Sequence, residues 1–357
     1  MSLPNYLLNL LTLARGRNTL RPLVGIFHLT GRCNLNCAYC EDYGARRPDD
    51  SLAALGVLPL PQAQRVLAVL RQAAPHLILT GGEPLLYPDI DALAASAKRE
   101  LRFKSVTLLT NGLRLPKHPG LLPLLNRLVI SLDSLDAARW GETLGVGSRA
   151  AQSIIDTVDA TAAEQQRHGF RLVVNCVVTP QTLPDALAVL DFCAGRDIAF
   201  AFSPQSFNNW PHYDLLVSRD YPAFVDEVIA RKQRGARILG SLPYLRKMRG
   251  FEPFNCYPTL APRVLPNGEL IYPCRPIERG HTPHGGRPCN LTEVASWAEA
   301  RAAAEAQYGA PPKSCVSCFQ QCYAEPSLMQ AQPLALAGEL VRFSASRRLG
   351  LTTFAPG

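Results

Sequence analysis

A repeated unit constrains this chain more than any other feature: a short apolar run, a polar or glycine-rich turn, then a helical pattern. The runs are Leu23 to Leu29, Leu77 to Thr80, Ser105 to Thr110, Arg127 to Leu132, Arg171 to Thr179 and Ile198 to Phe202. Helical patterns separate them at Pro61 to Ala73, Asp89 to Lys98, Ala150 to His168 and Leu183 to Ala194. Strands that alternate with helices are joined by crossovers, so they pair in parallel and the helices cover the sheet. Six such units predict an α/β fold, an open or partial barrel over residues 23–250. After about Gly250 the chain turns irregular and rich in Pro, Gly and Cys. A hairpin is expected from Val264 to Tyr272, with Asn267-Gly268 at its turn, and a helix from Leu291 to Ala304. Local apolar content is thin over residues 251–330, so this small module is expected to need a metal to hold it together. Residues 1–22 read as an amphipathic segment and 331–357 as a tail.

The chain has 11 cysteines, and six of them fall in two tight groups: Cys33, Cys37 and Cys40, then Cys315, Cys318 and Cys322. The first residues carry an apolar run before their basic residues, the wrong order for a secretory signal. Clustered cysteines in such a chain argue for metal ligation over a disulfide framework. The first group lies in HLTGRCNLNCAYC, just after the first strand. Three thiolates on one loop hold three corners of an iron–sulfur cube and leave the fourth iron open. A structural zinc site has four ligands, and catalytic zinc likewise keeps a position open. Barrel enzymes place their chemistry at this end of their strands.

This C-x3-C-x2-C spacing, with Tyr39 before the third cysteine, resembles the defining motif of the radical S-adenosylmethionine (SAM) superfamily. Further segments resemble it in order: Leu79-Thr80-Gly81-Gly82-Glu83-Pro84, Thr110-Asn111-Gly112, Ser131-Leu132-Asp133 and Val174-Asn175-Cys176-Val177-Val178-Thr179. The resemblance covers roughly residues 23–206. It implies a partial (β/α)6 TIM-type barrel with a small C-terminal β-hairpin/helix Fe–S module. Cys33, Cys37 and Cys40 would ligate a [4Fe–4S] cluster whose open iron binds SAM. Tyr39, Gly81, Gly82, Glu83, Pro84, Asn111, Ser131, Asp133 and Asn175 would bind SAM, with the Gly-Gly-Glu strip at its amino group. Two glycines let backbone approach a ligand closely. Ser131 to Asp133 would face the ribose and methionine carboxylate. Reductive cleavage of SAM would then give a 5′-deoxyadenosyl radical that abstracts a hydrogen atom from the substrate. The segment Arg139 to Gly147 matches the family only loosely and assigns no residue.

Cys256 and Cys274 flank the expected hairpin, and Cys315 and Cys318 form a C-x2-C pair. This set resembles the auxiliary-cluster modules called SPASM and Twitch, with an auxiliary [4Fe–4S] cluster for electron transfer or substrate binding. Cys322 is a fifth candidate ligand and Cys289 a sixth. Structural zinc fits the same spacing. Cys176 and Cys193 read as core. His28 is either a site or a packing residue. In the loop after strand six, Gln205, Trp210, His212, Tyr213 and Asp214 form a candidate substrate wall.

The formal charge is +8, without a Lys/Arg block dense enough for nucleic acid. Leu7, Leu10, Leu11 and Ala14 would share one helix face, either packed on the domain or lying on a membrane surface beside Arg15, Arg17 and Arg21. Cytoplasmic localisation is expected, and a low-potential reductant such as flavodoxin or ferredoxin is the implied partner. The substrate is expected to be a small molecule or lipid undergoing oxidation or carbon–carbon bond formation. A ribosomal-peptide maturase is the alternative, weakened because the barrel begins within the first two dozen residues. A non-catalytic iron–sulfur or zinc protein is the reading from another class.

Overall fold

The computed structural model describes residues 3–43, 52–207, 210–274, 288–312, 315–316, 319 and 321–334. Cys318 and most of the expected tail lie outside the described residues. In chain order the elements are α1 (Leu3–Ala14), β1 (Val24–His28), α2 (Leu60–Ala73), β2 (His76–Thr80), α3 (Ile90–Ala95), β3 (Ser105–Thr110), β4 (Arg127–Ser131), α4 (Ala137–Leu144), α5 (Ser148–His168), β5 (Arg171–Val178), α6 (Ala186–Ala194) and β6 (Ala199–Pro204). A small hairpin, β7 (Ser206–Phe207) and β8 (Trp210–Pro211), is followed by α7 (Tyr213–Leu216), α8 (Asp220–Gln233) and α9 (Leu242–Gly250). Then come β9 (Arg263–Val264), β10 (Leu270–Ile271) and the helices Trp297–Tyr308 and Gln321–Ala331.

β1 to β6 pair in chain order, all parallel. Their register slips along the sheet: Thr107 lies opposite Arg127, and Val173 opposite Ala199. Such stagger curls a sheet into a barrel wall. Side chains alternate across the wall. Phe27, Leu79, Leu108, Leu128, Val174 and Phe200 pack into the core. Ile26, Ile78, Thr107, Val129, Val173 and Ala201 line the lumen. On the outside, α2 buries Ala63, Val66, Leu67 and Leu70 and α5 buries Ala151, Ile154, Ile155 and Val158. Both sets follow helical spacing toward the sheet.

The expected hairpin forms at β9 and β10, with Gly268 at φ 89° in its turn. It does not stand apart as a separate module. β9 pairs in parallel with β1, Arg263 opposite Ile26, so the hairpin continues the barrel sheet. The edge strands of the sheet are β10 and β6, and Leu239, Gly240, Tyr244, Cys322 and Glu325, from the segments after β6, line the lumen with the strands. The Glu325 carboxylate accepts from the Ser241 N–H at 3.0 and 3.2 Å and binds α9 to the helix Gln321–Ala331. The helix expected at 291–304 starts later, at Trp297, where the Ser296 hydroxyl accepts from the Glu299 N–H.

Helix α1 packs against Gln321–Ala331, and the Tyr6 hydroxyl donates to the Met329 carbonyl at 2.9 Å. The face expected from Leu7, Leu10, Leu11 and Ala14 is split. Leu10 packs with Tyr6 and Met329, whereas Leu7 and Leu11 are 50% and 54% exposed. Among the described residues no helix is long and apolar enough to cross a membrane.

His76, at the start of β2, is buried, and its Nδ1 lies 2.7 Å from the Ser105 hydroxyl. Burial pushes its pKa down to about 3. The unfolded chain therefore takes a proton below about pH 6.5 that the folded chain refuses. Stability is expected to fall with pH from 6.5 toward 3, by up to ~1.4 kcal/mol per pH unit from this residue. Urea unfolding of the wild type and of His76→Leu at pH 7 and pH 5 checks it. An equal loss in both would remove His76 as the cause.

Candidate functional site

Two cavities adjoin at the C-terminal end of the strands. The smaller, about 210 Å3, is lined by Cys33, Cys37, Tyr39, Cys40, Gly81, Gly82, Asn111 and Ser131 among others. The larger, about 280 Å3, is the barrel lumen, and Asn175 lines it. Thr80, Leu109 and Ser131 line both.

The cysteine loop has no regular structure and is held by its neighbours. The Asn36 N–H donates to the Leu144 carbonyl and the Ala38 N–H to the Thr143 carbonyl, each at 2.9 Å. These acceptors lie at the C-terminus of α4, where carbonyls lack partners within the helix. Gly145, at φ 67°, ends that helix. On the other side, Gly82 N–H donates to the Thr30 carbonyl and Glu83 N–H to the Arg32 carbonyl, each at 2.8 Å. A Cβ at Gly82 would lie 2.2 Å from the Arg32 oxygen, and one at Gly81 2.5 Å from the Thr30 oxygen. Both glycines line the cavity as expected. The tightest approach they permit, however, is that of the β2 loop to the cysteine loop.

Glu83, Pro84 and Asp133, expected at SAM, are buried beside the cavities. None of the three lines either cavity. Glu83 is fully buried, and its carboxylate accepts from the Thr110 hydroxyl (2.6 Å), Asn111 N–H (2.8 Å) and Leu85 N–H (3.0 Å). Burial pushes its pKa up, and these three donors pull against it. Its carboxylate ties the loop after β2 to the loop after β3. Pro84 is buried at the start of the short turn Pro84–Leu86. Asp133 is buried beneath the cysteine loop. It accepts from the Tyr39 hydroxyl and Val177 N–H, each at 2.7 Å, and from the Trp140 indole at 3.2 Å. Burial pushes its carboxyl up to about 6.

The other expected residues face the cavities. The Asn111 amide donates to Asn34 Oδ1 at 2.8 Å and lies 4.0 Å from Cys33 Sγ. Asn175 accepts from the Ser203 hydroxyl at 2.9 Å. His28 lines the lumen, its Nδ1 2.7 Å from the Tyr43 hydroxyl. Gln205, Trp210, His212, Tyr213 and Asp214 line neither of these two cavities. Cys176 and Cys193 are buried in the core, where burial lifts Cys193 to about 12.

Cys33, Cys37 and Cys40 face one space. Burial first, then Asp133, lifts Cys37 to about 12, and burial lifts Cys33 as well. Thiolates are disfavoured there until a cation binds. Three soft donors around one cavity fit a [4Fe–4S] cluster with an open iron. In the C-terminal set, the Cys256 N–H donates to the Cys315 carbonyl at 2.9 Å. Burial pushes the Tyr323 phenol up, against the pull of Arg263, and Cys322, Cys274 and Cys256 add to the rise. Cys322 lines the lumen. Cys289 instead feels Glu299 and Glu293, and its carbonyl accepts from Leu270 N–H. Trp140, Asn34, Tyr43 and Arg263 were not legible as site residues. Only the Asp136 cap and Gly145 stop around α4 signalled the support under the cysteines.

Residues 27–193 match the sequence model described as Radical SAM superfamily. A GTP 3′,8-cyclase of Synechococcus sp. (strain CC9902) is 34% identical over 185 residues, which is 48% of this chain and 51% of that protein. A probable GTP 3′,8-cyclase of Archaeoglobus fulgidus is 30% identical over 133 residues, 37% of this chain and 42% of that protein. The chain thus spans about half the length of the curated relatives it matches. Among solved structures, Streptococcus suis SuiB bound to its precursor peptide SuiA aligns over 91% of this chain and 76% of that one, at 21% identity and a TM-score of 0.61. The enzyme anSMEcpe with bound AdoMet aligns over 91% and 95%, at 16% identity and a TM-score of 0.56. These structures share the fold. With its three cysteines on the loop after β1, the segment 27–193 is similar to the radical SAM superfamily, whose enzymes use a [4Fe–4S] cluster and SAM.

Proposed function

We propose that SAM binds in the smaller cavity and that a small-molecule substrate in the lumen would give up a hydrogen atom to the carbon radical that one-electron cleavage of SAM supplies. The observation that carries this reading is the shared wall: Thr80, Leu109 and Ser131 face both spaces. When bound, the cluster on Cys33, Cys37 and Cys40 together with SAM supplies the electron and the hydrogen-abstracting power. The chain's own residues position and enclose. The α4 carbonyls and the Gly81-Gly82 strip fix the cysteine loop from two sides. Asn111 presents its amide beside Cys33. The apolar lumen wall of Ile26, Ile78, Val129 and Val173 keeps water from the substrate.

Cys256, Cys274, Cys315 and Cys322 are proposed to hold an auxiliary [4Fe–4S] cluster, as in SPASM and Twitch modules. The Cys256 N–H to Cys315 carbonyl bond and the influence of Cys256, Cys274 and Cys322 on Tyr323 support this reading. A peptide substrate is the second reading, favoured by half-exposed Phe207 and Trp210 and exposed Tyr213 beyond the end of β6. The lumen is closed by the Gln321–Ala331 helix, which favours a compact molecule.

The test is anaerobic reconstitution with iron and sulfide, then SAM and dithionite, with 5′-deoxyadenosine read by mass spectrometry. The wild type is expected to yield it, and the triple variant C33A/C37A/C40A none. About eight irons are expected in the wild type and about four in C256A/C274A, as one cluster fewer requires. Absence of SAM binding by the iron-loaded wild type would sink the assignment.

A further inference from the structure

Among the described residues Arg263 is the one arginine lining the lumen. Its place is set by β9, which puts it level with Ile26 on β1. Around it the lumen is walled by Ile26, Ile78, Val129, Val173 and Leu239. The Arg263 Nε is buried with no hydrogen-bond partner; Cys322, Tyr323, Asp42 and Tyr43 lie near enough to favour the cation, but among the described residues no salt bridge to the guanidinium is formed. The Tyr323 ring lies 5.0 Å behind it, which steadies the cation without satisfying its N–H groups. The carboxylate of the same cavity, Glu325, accepts from the Ser241 N–H and hydroxyl. Surface arginines fare differently: Arg249, for example, holds Asp226 through two nitrogens at 2.6 and 2.8 Å.

A guanidinium does not discharge on burial, and the nearby acidic groups favour the charge without giving its buried Nε–H an acceptor. We propose that Arg263 is the anion-binding group of the lumen, and that the substrate is a compact molecule with an apolar body and one carboxylate or phosphate. The inference rests on the lumen being the substrate site. A planar oxyanion takes two parallel N–H donors from a guanidinium, which fixes orientation as well as charge. The apolar body would then lie along the strand side chains, on the way to the wall shared with the smaller cavity.

Binding tests this without turnover. Iron-loaded protein is titrated calorimetrically with phenyl phosphate, 3-phenylpropionate and the uncharged 3-phenylpropanamide, and SAM binding is measured on the same samples. At least one anionic probe is expected to bind tenfold or more tightly than the amide, and which one separates phosphate from carboxylate. Arg263→Met is expected to abolish that preference and Arg263→Lys to keep part of it, each with the wild-type circular dichroism spectrum and SAM affinity. Equal binding of amide and anions by the wild type overturns the proposal. So does an unchanged preference in Arg263→Met. So does a shift in the electron paramagnetic resonance signal of an iron–sulfur centre in that variant without loss of anion preference, because the charge would then serve the metal beside Cys322. Loss of SAM binding in the wild type is a separate failure, of the radical SAM reading itself.

Discussion

Gly82→Ala is expected to leave the protein folded but nearly devoid of the cluster held by Cys33, Cys37 and Cys40. The added Cβ would stand 2.2 Å from the Arg32 carbonyl oxygen, 2.6 Å from its carbon and 3.1 Å from the Cys33 nitrogen. All three are backbone atoms, so no side-chain rotation relieves the clash. Relief requires the Thr30–Cys33 stretch to move, and with it the first of the three thiols. An overpacking cost of about 3 kcal/mol or more is expected at such a contact. The loss falls locally, because the barrel wall beneath is tied by the β1–β2 ladder from Val24 to His28. Gly147→Ala is the control, since a Cβ there meets nothing within 4 Å. Iron and sulfide per chain after reconstitution, with thermal melts alongside, give the readout. Wild-type iron in Gly82→Ala would show that the loop has slack the packing does not reveal.

Glu83→Ala is expected to destabilise the fold more than any other single polar substitution near the site. Three donors lose their acceptor in a fully buried place: the Thr110 hydroxyl and the N–H groups of Asn111 and Leu85. Stranding buried donors costs about 1–3 kcal/mol each, more where the acceptor was charged, though partial relaxation keeps the sum at about 3–5 kcal/mol. For a chain of this size the melting temperature should drop by on the order of 10 °C. Glu83→Gln separates a tether from a ligand contact. As a tether, the amide keeps one acceptor oxygen and turns an NH2 toward a donor, so stability falls part of the way while SAM affinity in the folded fraction stays within a few-fold. A drop in SAM affinity beyond tenfold with an unchanged melting temperature would restore Glu83 to direct contact.

The wall of the barrel was legible because it is periodic. Ser105–Thr110 and Arg171–Val178 alternate or run apolar between turns, and their strands lie within a residue of the expected bounds. The cysteine loop was legible because its spacing states a donor set. What escaped was the division of labour within motifs. Glu83 and Asp133 are acidic residues at strand ends, a pattern that reads as ligand contact, yet both carboxylates face inward to backbone and phenol donors. Nothing in a linear pattern tells which way such a side chain turns. Short elements escaped for a related reason. Helix α4 spans only Ala137–Leu144, too few turns for periodicity to register, although its Asp136 cap and Gly145 stop were both present. The Ser296 to Glu299 capping pattern was likewise present and sets the start of a helix expected five residues or so earlier. Arg263 escaped because its importance depends on a pairing of β9 with β1, across more than two hundred residues of chain.

That long pairing is one of several that join the ends of the described chain. Tyr6 reaches Met329, and the Gln330 amide returns to the Tyr6 carbonyl. A ribosome delivers β1 to β6 long before residue 321, so the nascent chain first holds an open trough with its lumen wet along one side. The first helix is tied early through Asn5 and Asn9 to Pro22, Ala73 and Arg21, and its contact with the last helix comes only when that helix arrives. Contacts of such sequence separation form slowly, because a long loop must close before they reward it. The contact between the helices Leu3–Ala14 and Gln321–Ala331 should therefore be among the last to form, after the lumen-lining residues Cys322 and Glu325 have come into place.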